Sequence, residues 1–120
     1  MAVVRTLSAV TLTTADMAAS VRFYEGLGFR VAYGGAESPF TTLASGECYV
    51  NLTAVEHAGD VAVGWGRVIF HVDDVDELYE QALASGLTPA AAPRDAPWGE
   101  RMFPIFDPNG HDLSFAKPLR

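Results

Sequence analysis

Two stretches of this chain repeat one pattern 58 residues apart. "DMAASVRFYEGLGFRV" begins at Asp16 and "DVDELYEQALASGLTP" begins at Asp74. In each, an Asp precedes an amphipathic run, and a Gly follows 12 positions after it, at Gly28 and Gly86. The offset is about half of the 120-residue chain. A half-chain repeat is a supersecondary unit that cannot bury its apolar face alone, so two such units belong in one domain.

Local chemistry places a helix in each repeat. Asp74 can cap the second helix, and Glu77 three residues on completes a capping box. Val75, Leu78, Tyr79, Ala82 and Leu83 then form a stripe at helical spacing, and Gly86 suits the left-handed residue after the last turn. Asp16 caps the first helix, which buries Val21, Tyr24 and Leu27. Gly26 weakens its last turn, and Gly28 ends it.

Strands flank both helices. "LSAVTLTT" and "GRVIFHV" precede them. "FRVAY", "PFTTLA" and "ECYVNLT" follow the first, and "LTPAAA", "ERMFPIF" and "HDLSFA" follow the second. Gly46 and the Asp107–Pro108–Asn109–Gly110 turn punctuate hairpins. The order is strand, helix, three strands, twice over. It defines an α+β fold of two βαβββ modules, residues 1–60 and 61–120, in a single domain. Ala58 to Gly64 joins them.

Composition narrows the function classes. No apolar run approaches the roughly 20 residues of a membrane span, and the N-terminus reads as a strand rather than a signal peptide. Cys48 is the only cysteine, so an internal disulfide is excluded and a cytoplasmic location is expected. The net charge of -7 opposes nucleic acid as a partner and favours a cationic small molecule, besides aiding solubility.

The doubled βαβββ order, "FYEGLGFRV" after a capped helix, and "PWGERMFPIFDPNGHDLSF" near the end together resemble the glyoxalase/bleomycin resistance/extradiol dioxygenase superfamily, also called vicinal oxygen chelate. The last segment is most similar to its metal-free, bleomycin-resistance-type binding proteins. The resemblance implies curved sheets forming a half-open, barrel-like cleft with helices on the convex sides. In many members, four residues from the first and last strands of each module bind a divalent metal. Those positions fall here on Ala9, Asn51, Arg67 and Ser114. Alanine cannot ligate, arginine repels a cation, and Asn and Ser are weak neutral donors, so neither metal nor cofactor is expected.

Strand alternation assigns faces without the family. Val10, Leu12, Cys48, Val50, Leu52, Val68, Phe70, Val72, Leu113 and Phe115 take the core side. Ala9, Thr11, Thr13, Tyr49, Asn51, Thr53, Arg67, Ile69, His71, Asp112 and Ser114 take the cleft side. Arg67 and Asp112 can pair there. His111 reads as a surface or turn histidine, Asp107 as a turn residue, and Asp95 and Glu100 as solvated. His71 is the one candidate general base, without an evident partner.

The candidate ligand set is Phe40, Tyr49, Asn51, Trp65, Arg67, His71, Trp98, Met102, Asp112 and Ser114. Trp98 stands out because a large ring between Pro97 and Gly99 is costly to expose without a role. Trp65 and Phe103 have a competing reading as core or dimer contacts. The expected function is a metal-free homodimer that sequesters a planar, cationic natural product or antibiotic. The alternative is an enzyme of the same superfamily, a lyase, isomerase or dioxygenase using a metal or His71. A third reading is a fold-only relative without a small ligand.

Overall fold

A computed structural model describes all 120 residues. Helix α1 spans Met17–Gly26 and α2 spans Val75–Ala84. The Asp16 carboxylate accepts the Ala19 N–H at 3.0 Å, and that of Asp74 accepts the Glu77 N–H at 2.9 Å. Only the Asp half of the expected capping box forms. α1 buries Met17, Ser20, Val21, Phe23 and Tyr24. α2 sits shallower: Val75 and Ala82 are buried, Leu78 and Tyr79 partly so, and Leu83 faces solvent.

The strands of module one are β1 (Ala9–Thr14), β2 (Arg30–Tyr33), β3 (Phe40–Ser45) and β4 (Cys48–Ala54). Those of module two are β5 (Arg67–His71), β6 (Arg94–Ala96), β7 (Glu100–Phe106) and β8 (Asp112–Pro118). The strand expected over "LTPAAA" does not form. Pro89 and Pro93 lack the N–H a ladder needs, and the edge strand moves beyond them to Arg94–Ala96. The sheet orders are β1-β4-β3-β2 and β5-β8-β7-β6. In each module the first strand runs parallel to the last and the other pairs are antiparallel. The sheets remain separate, and neither closes into a barrel.

One core serves both modules. It joins 17 buried residues, including Leu12, Leu43, Val50 and Leu52 from sheet one and Phe103, Ile105, Leu113 and Phe115 from sheet two. A chain of rings crosses it: Phe23, Tyr24, Phe29, Phe70, Phe115, Phe103, Tyr79, with consecutive centroids 5.0 to 5.7 Å apart. Such pairs contribute about 0.5–1.5 kcal/mol each beyond the area they bury. Cys48 departs from its expected core side. It opens β4 at the hairpin end, outside the cover of the core, and is exposed.

The modules are joined by the β7–β8 turn. Asp107 is buried and accepts three hydrogen bonds: from the Tyr24 hydroxyl at 2.8 Å, and from the N–H groups of Asn109 and His111 at 2.9 and 3.0 Å. The Asn109 side chain accepts the Ala15 N–H and donates to the Ser20 hydroxyl. His111 is not a surface histidine; it is 2% exposed. The Trp65 indole N–H donates to its Nδ1 at 3.1 Å, so the ring proton sits on Nε2 and donates to the Thr13 carbonyl at 2.9 Å. His111 shares core parity with Leu113, yet it reaches the free edge of β1. Module one therefore lies on the core side of sheet two, and the open faces of the two sheets look away from each other.

Gly26 has a packing reason as well as a helix cost. A side chain there would meet Leu87 and Ser85 at 3.1 Å, because the end of α1 lies against the loop after α2.

Burial, and then the Asp107 charge, hold the Tyr24 hydroxyl pKa well above its ordinary value. The fold thus favours the protonated phenol. Its stabilising contribution is complete below the unfolded tyrosine pKa of about 10 and is lost as pH rises from there toward the folded value. Tyr24→Phe should cost about 1.5–3 kcal/mol at pH 7, the range for a hydrogen bond to a charged group. It should also flatten the loss of stability above about pH 10. Urea melts at pH 7, 9 and 10.5 measure both effects, and equal alkaline slopes in the two proteins would contradict the assignment.

Candidate functional site

Cross-strand register lays out each open face in rows. On sheet one the central row is Thr11–Asn51–Thr42–Tyr33, flanked by Ala9–Tyr49–Ala44–Arg30 and Thr13–Thr53–Phe40. The Thr42 hydroxyl donates to Asn51 Oδ1 at 2.7 Å, and Asn51 Nδ2 donates to Thr11 Oγ1 at 3.3 Å. A polar ladder thus runs between the exposed rings of Tyr33, Phe40 and Tyr49.

On sheet two the rows are Arg67–Asp112–Phe106, Ile69–Ser114–Pro104 and His71–Ala116–Met102–Arg94. The expected Arg67–Asp112 pair forms as a fork, with Nε to Oδ1 at 3.2 Å and Nη2 to Oδ2 at 3.3 Å. Both members are partly solvated, so the pair orients side chains more than it stabilises the fold. Met102 is not open to a ligand: it is buried with Ala96 and Ala116 as the floor of this face. Ser114 is buried too, with its hydroxyl lacking any hydrogen-bond partner.

Trp98 sits in the β6–β7 turn with 60% of its surface exposed. Its indole N–H donates to Glu100 Oε1 at 2.8 Å, and the Arg94 guanidinium lies 5.5 Å above the ring centroid. Glu100 therefore holds the indole rather than standing free in solvent. Asp95 is likewise engaged. Arg101 bonds it at 3.1 Å and clasps Asp76 of α2 at 2.7 and 2.8 Å. The hydrogen bond to Asp76 raises the guanidinium pKa, and the same bond lowers that of the Asp76 carboxylate.

The Trp65 ring is half exposed, but its N–H is committed to His111. His71 ends β5, exposed, and its ring makes no hydrogen bond that would orient it as a base. Of the carboxylates on strands, only Glu100 and Asp112 share the open side, and both are engaged. The acidity of the chain lies elsewhere.

The candidate residues thus fall into two groups. Phe40, Tyr49 and Asn51 share the open face of sheet one. Trp65, Arg67, His71, Trp98, Met102, Asp112 and Ser114 belong to module two. One chain does not bring the groups together. Sequence reasoning missed Tyr33, Arg94 and Phe106. Strand parity carried across β7 would have found Phe106. Tyr33 follows a register irregularity after Val31, and Arg94 belongs to the strand that the proline run displaced.

The positions that hold metal in related folds do not fit one here. Ala9 has no donor atom, and the Asn51 oxygen already accepts from Thr42. Arg67 brings a positive charge, and Ser114 brings a buried neutral hydroxyl. No three His, Cys, Asp or Glu side chains converge anywhere in the chain. No helix is long and apolar enough to cross a membrane.

Two βαβββ modules around one core define a class of α+β proteins. Residues 6–115 match the model of the Glyoxalase/Bleomycin resistance protein/Dioxygenase superfamily, and the chain belongs to that superfamily. An uncharacterized protein of Mycobacterium bovis is 29% identical over 91% of this chain and 81% of its own. A bleomycin-binding protein, solved in complex with bleomycin, superposes with a TM-score of 0.74 at 24% identity, covering 94% of this chain and 98% of that one. TioX from Micromonospora sp. ML1 gives 0.72 at 26% identity, covering 95% and 100%.

The donor set carries a direct test. Purified without chelators, the protein should contain less than stoichiometric zinc, iron, manganese or nickel by elemental analysis. One equivalent per chain, removed together with a measurable activity, would contradict this account of Ala9, Asn51, Arg67 and Ser114.

Proposed function

We propose that this protein binds and sequesters a planar small molecule in a cleft made by two copies of the chain, each supplying one open face. The observation that carries the reading is Trp98. Its ring is exposed, its edge is anchored by Glu100, and a guanidinium rests on its face. An indole held rigid without burial is prepared to stack, and a slot that already accepts a planar cation suits a planar, cationic ligand. The likeness to a protein solved with bleomycin supports a small-molecule ligand of this size class.

The homodimer rests on the directions of the open faces. Tyr33, Tyr49, Ile69, Trp98 and Phe106 are all exposed apolar or aromatic residues. Soluble chains seldom leave such surfaces uncovered, and a two-fold pair is the commonest assembly. It would set the polar ladder of one sheet against the aromatic face of its partner. The lone thiol, Cys48, fits a reducing cytoplasm. An enzymatic reading would rest on His71, whose ring has no partner to tune or aim it.

Calorimetric titration with bleomycin and a panel of planar aromatic antibiotics tests the ligand. Trp98→Ala should weaken binding by about 2 kcal/mol, roughly thirtyfold in dissociation constant, with the melting temperature unchanged. Equal affinity in the variant, or no binding across the panel, would refute the stacking role. Light scattering at micromolar concentration should give twice the 12.8 kDa chain mass, and a monomer would refute the shared cleft.

A further inference from the structure

We infer that the seam between the two modules is a second binding site, one that takes a small organic cation with an apolar body. A groove of about 550 Å³ lies there, within the usual range of ligand pockets and away from both rings of Trp98 and Tyr49. Beneath it lie the core rings of Phe29, Phe70 and Phe115, buried with centroids 5.6 and 5.1 Å apart, so its base is apolar. Its rim carries Glu47, Asp73 and Glu77 with His71 beside them, and neither lysine nor arginine lines it. Asp74 also borders it, but its carboxylate caps α2.

The internal repeat explains why the groove exists. At the start of α1, the β7–β8 turn fills the junction with Asp107, Asn109 and His111, and Asp107 takes three donors. The matching place at the start of α2 faces the β3–β4 turn, whose tip is only Gly46–Glu47. The 58-residue offset puts Ala82 where α1 has Tyr24, so no side chain crosses the gap. The side-chain carboxylates of Glu47, Asp73 and Glu77, all three exposed, consequently have neither a hydrogen bond nor an ion pair with the protein. In the filled junction the protein supplies the partners of its carboxylate. In the open one the carboxylates stay free to face a bound cation.

The chemistry of the occupant follows. Like charges on low-dielectric walls focus the field and concentrate cations. An apolar base favours a cation that carries hydrocarbon, by burial of that hydrocarbon. A bare divalent ion is the wrong partner, because no three ligating side chains converge.

The test is a two-dimensional amide NMR titration of the full chain with benzyltrimethylammonium, set against its neutral isostere neopentylbenzene. Saturable shifts should centre on Glu47, Asp73 and Gln81, and the neutral compound should bind more weakly. Combined Glu47→Gln, Asp73→Asn and Glu77→Gln should weaken the cation at least about tenfold, while the folded spectrum is retained. Glu77→Gln alone should show a smaller loss, which keeps the test open if the triple variant folds poorly. Glu25→Gln with Glu37→Gln, off the groove, should change nothing, and Trp98→Ala should leave the shifts at Glu47, Asp73 and Gln81 in place. Shifts scattered over the surface, an equal loss in the off-groove pair, or abolition by Trp98→Ala would overturn the inference. So would a triple variant whose mass falls from dimer to monomer, since the groove would then hold a second copy. Binding that survives here while every planar compound fails at Trp98 would separate this site from the stacking cleft.

Discussion

One buried carboxylate sets how the two halves of this chain meet. Asp107 accepts from Tyr24 across the module boundary and from two backbone N–H groups of its own turn. A buried charge without such donors would be strongly destabilising, so the turn and the helix must dock together or not at all. Docking places Tyr24 in the chain of rings that runs to Tyr79. It also sets Asn109 at the start of α1 and His111 against β1. The sheets then enclose one core with their backs turned to each other.

That arrangement separates features that composition alone merges. Exposed rings and three arginines, Arg30, Arg67 and Arg94, lie on the open faces: Trp98 under Arg94, Phe106 beside the Arg67–Asp112 fork, Tyr49 in the row beside the Thr–Asn–Thr ladder. Three uncompensated carboxylates, Glu47, Asp73 and Glu77, line the seam instead. A net charge of -7 thus does not describe the aromatic faces. The acidic seam and the exposed indole belong to different places.

The repeat also shows how similar halves acquire different roles. Both helices are capped by an Asp at the same relative position, and both sheets have the same strand order. The difference lies in a few side chains at the junctions. Tyr24 and a five-residue run, Asp107 to His111, seal one. Ala82 and the short Gly46–Glu47 tip leave the other open.

Much of the fold was legible in local chemistry. Capping Asp residues, helical stripes, strand alternation and turn residues each act over a few positions, so the doubled strand–helix order, the core parity and the Arg67–Asp112 pair could be read directly. The displaced β6 depended on where ladder N–H groups resume after two prolines. The partners of His111 and Asp107 could not be read, because Thr13, Trp65 and Tyr24 are 98, 46 and 83 residues distant and only packing brings them close. Nor could the sequence show that Ser114 and Met102 are covered while Trp98 is held by Glu100 and Arg94. Parity assigns a side of the sheet, but neighbours on adjacent strands decide how much of that side remains open. The sequence by itself determined two capped modules and the residue types on each face. The tertiary structure decided that these faces diverge and that one junction closes while the other remains a groove, because contacts between distant residues exist only once the chain has packed.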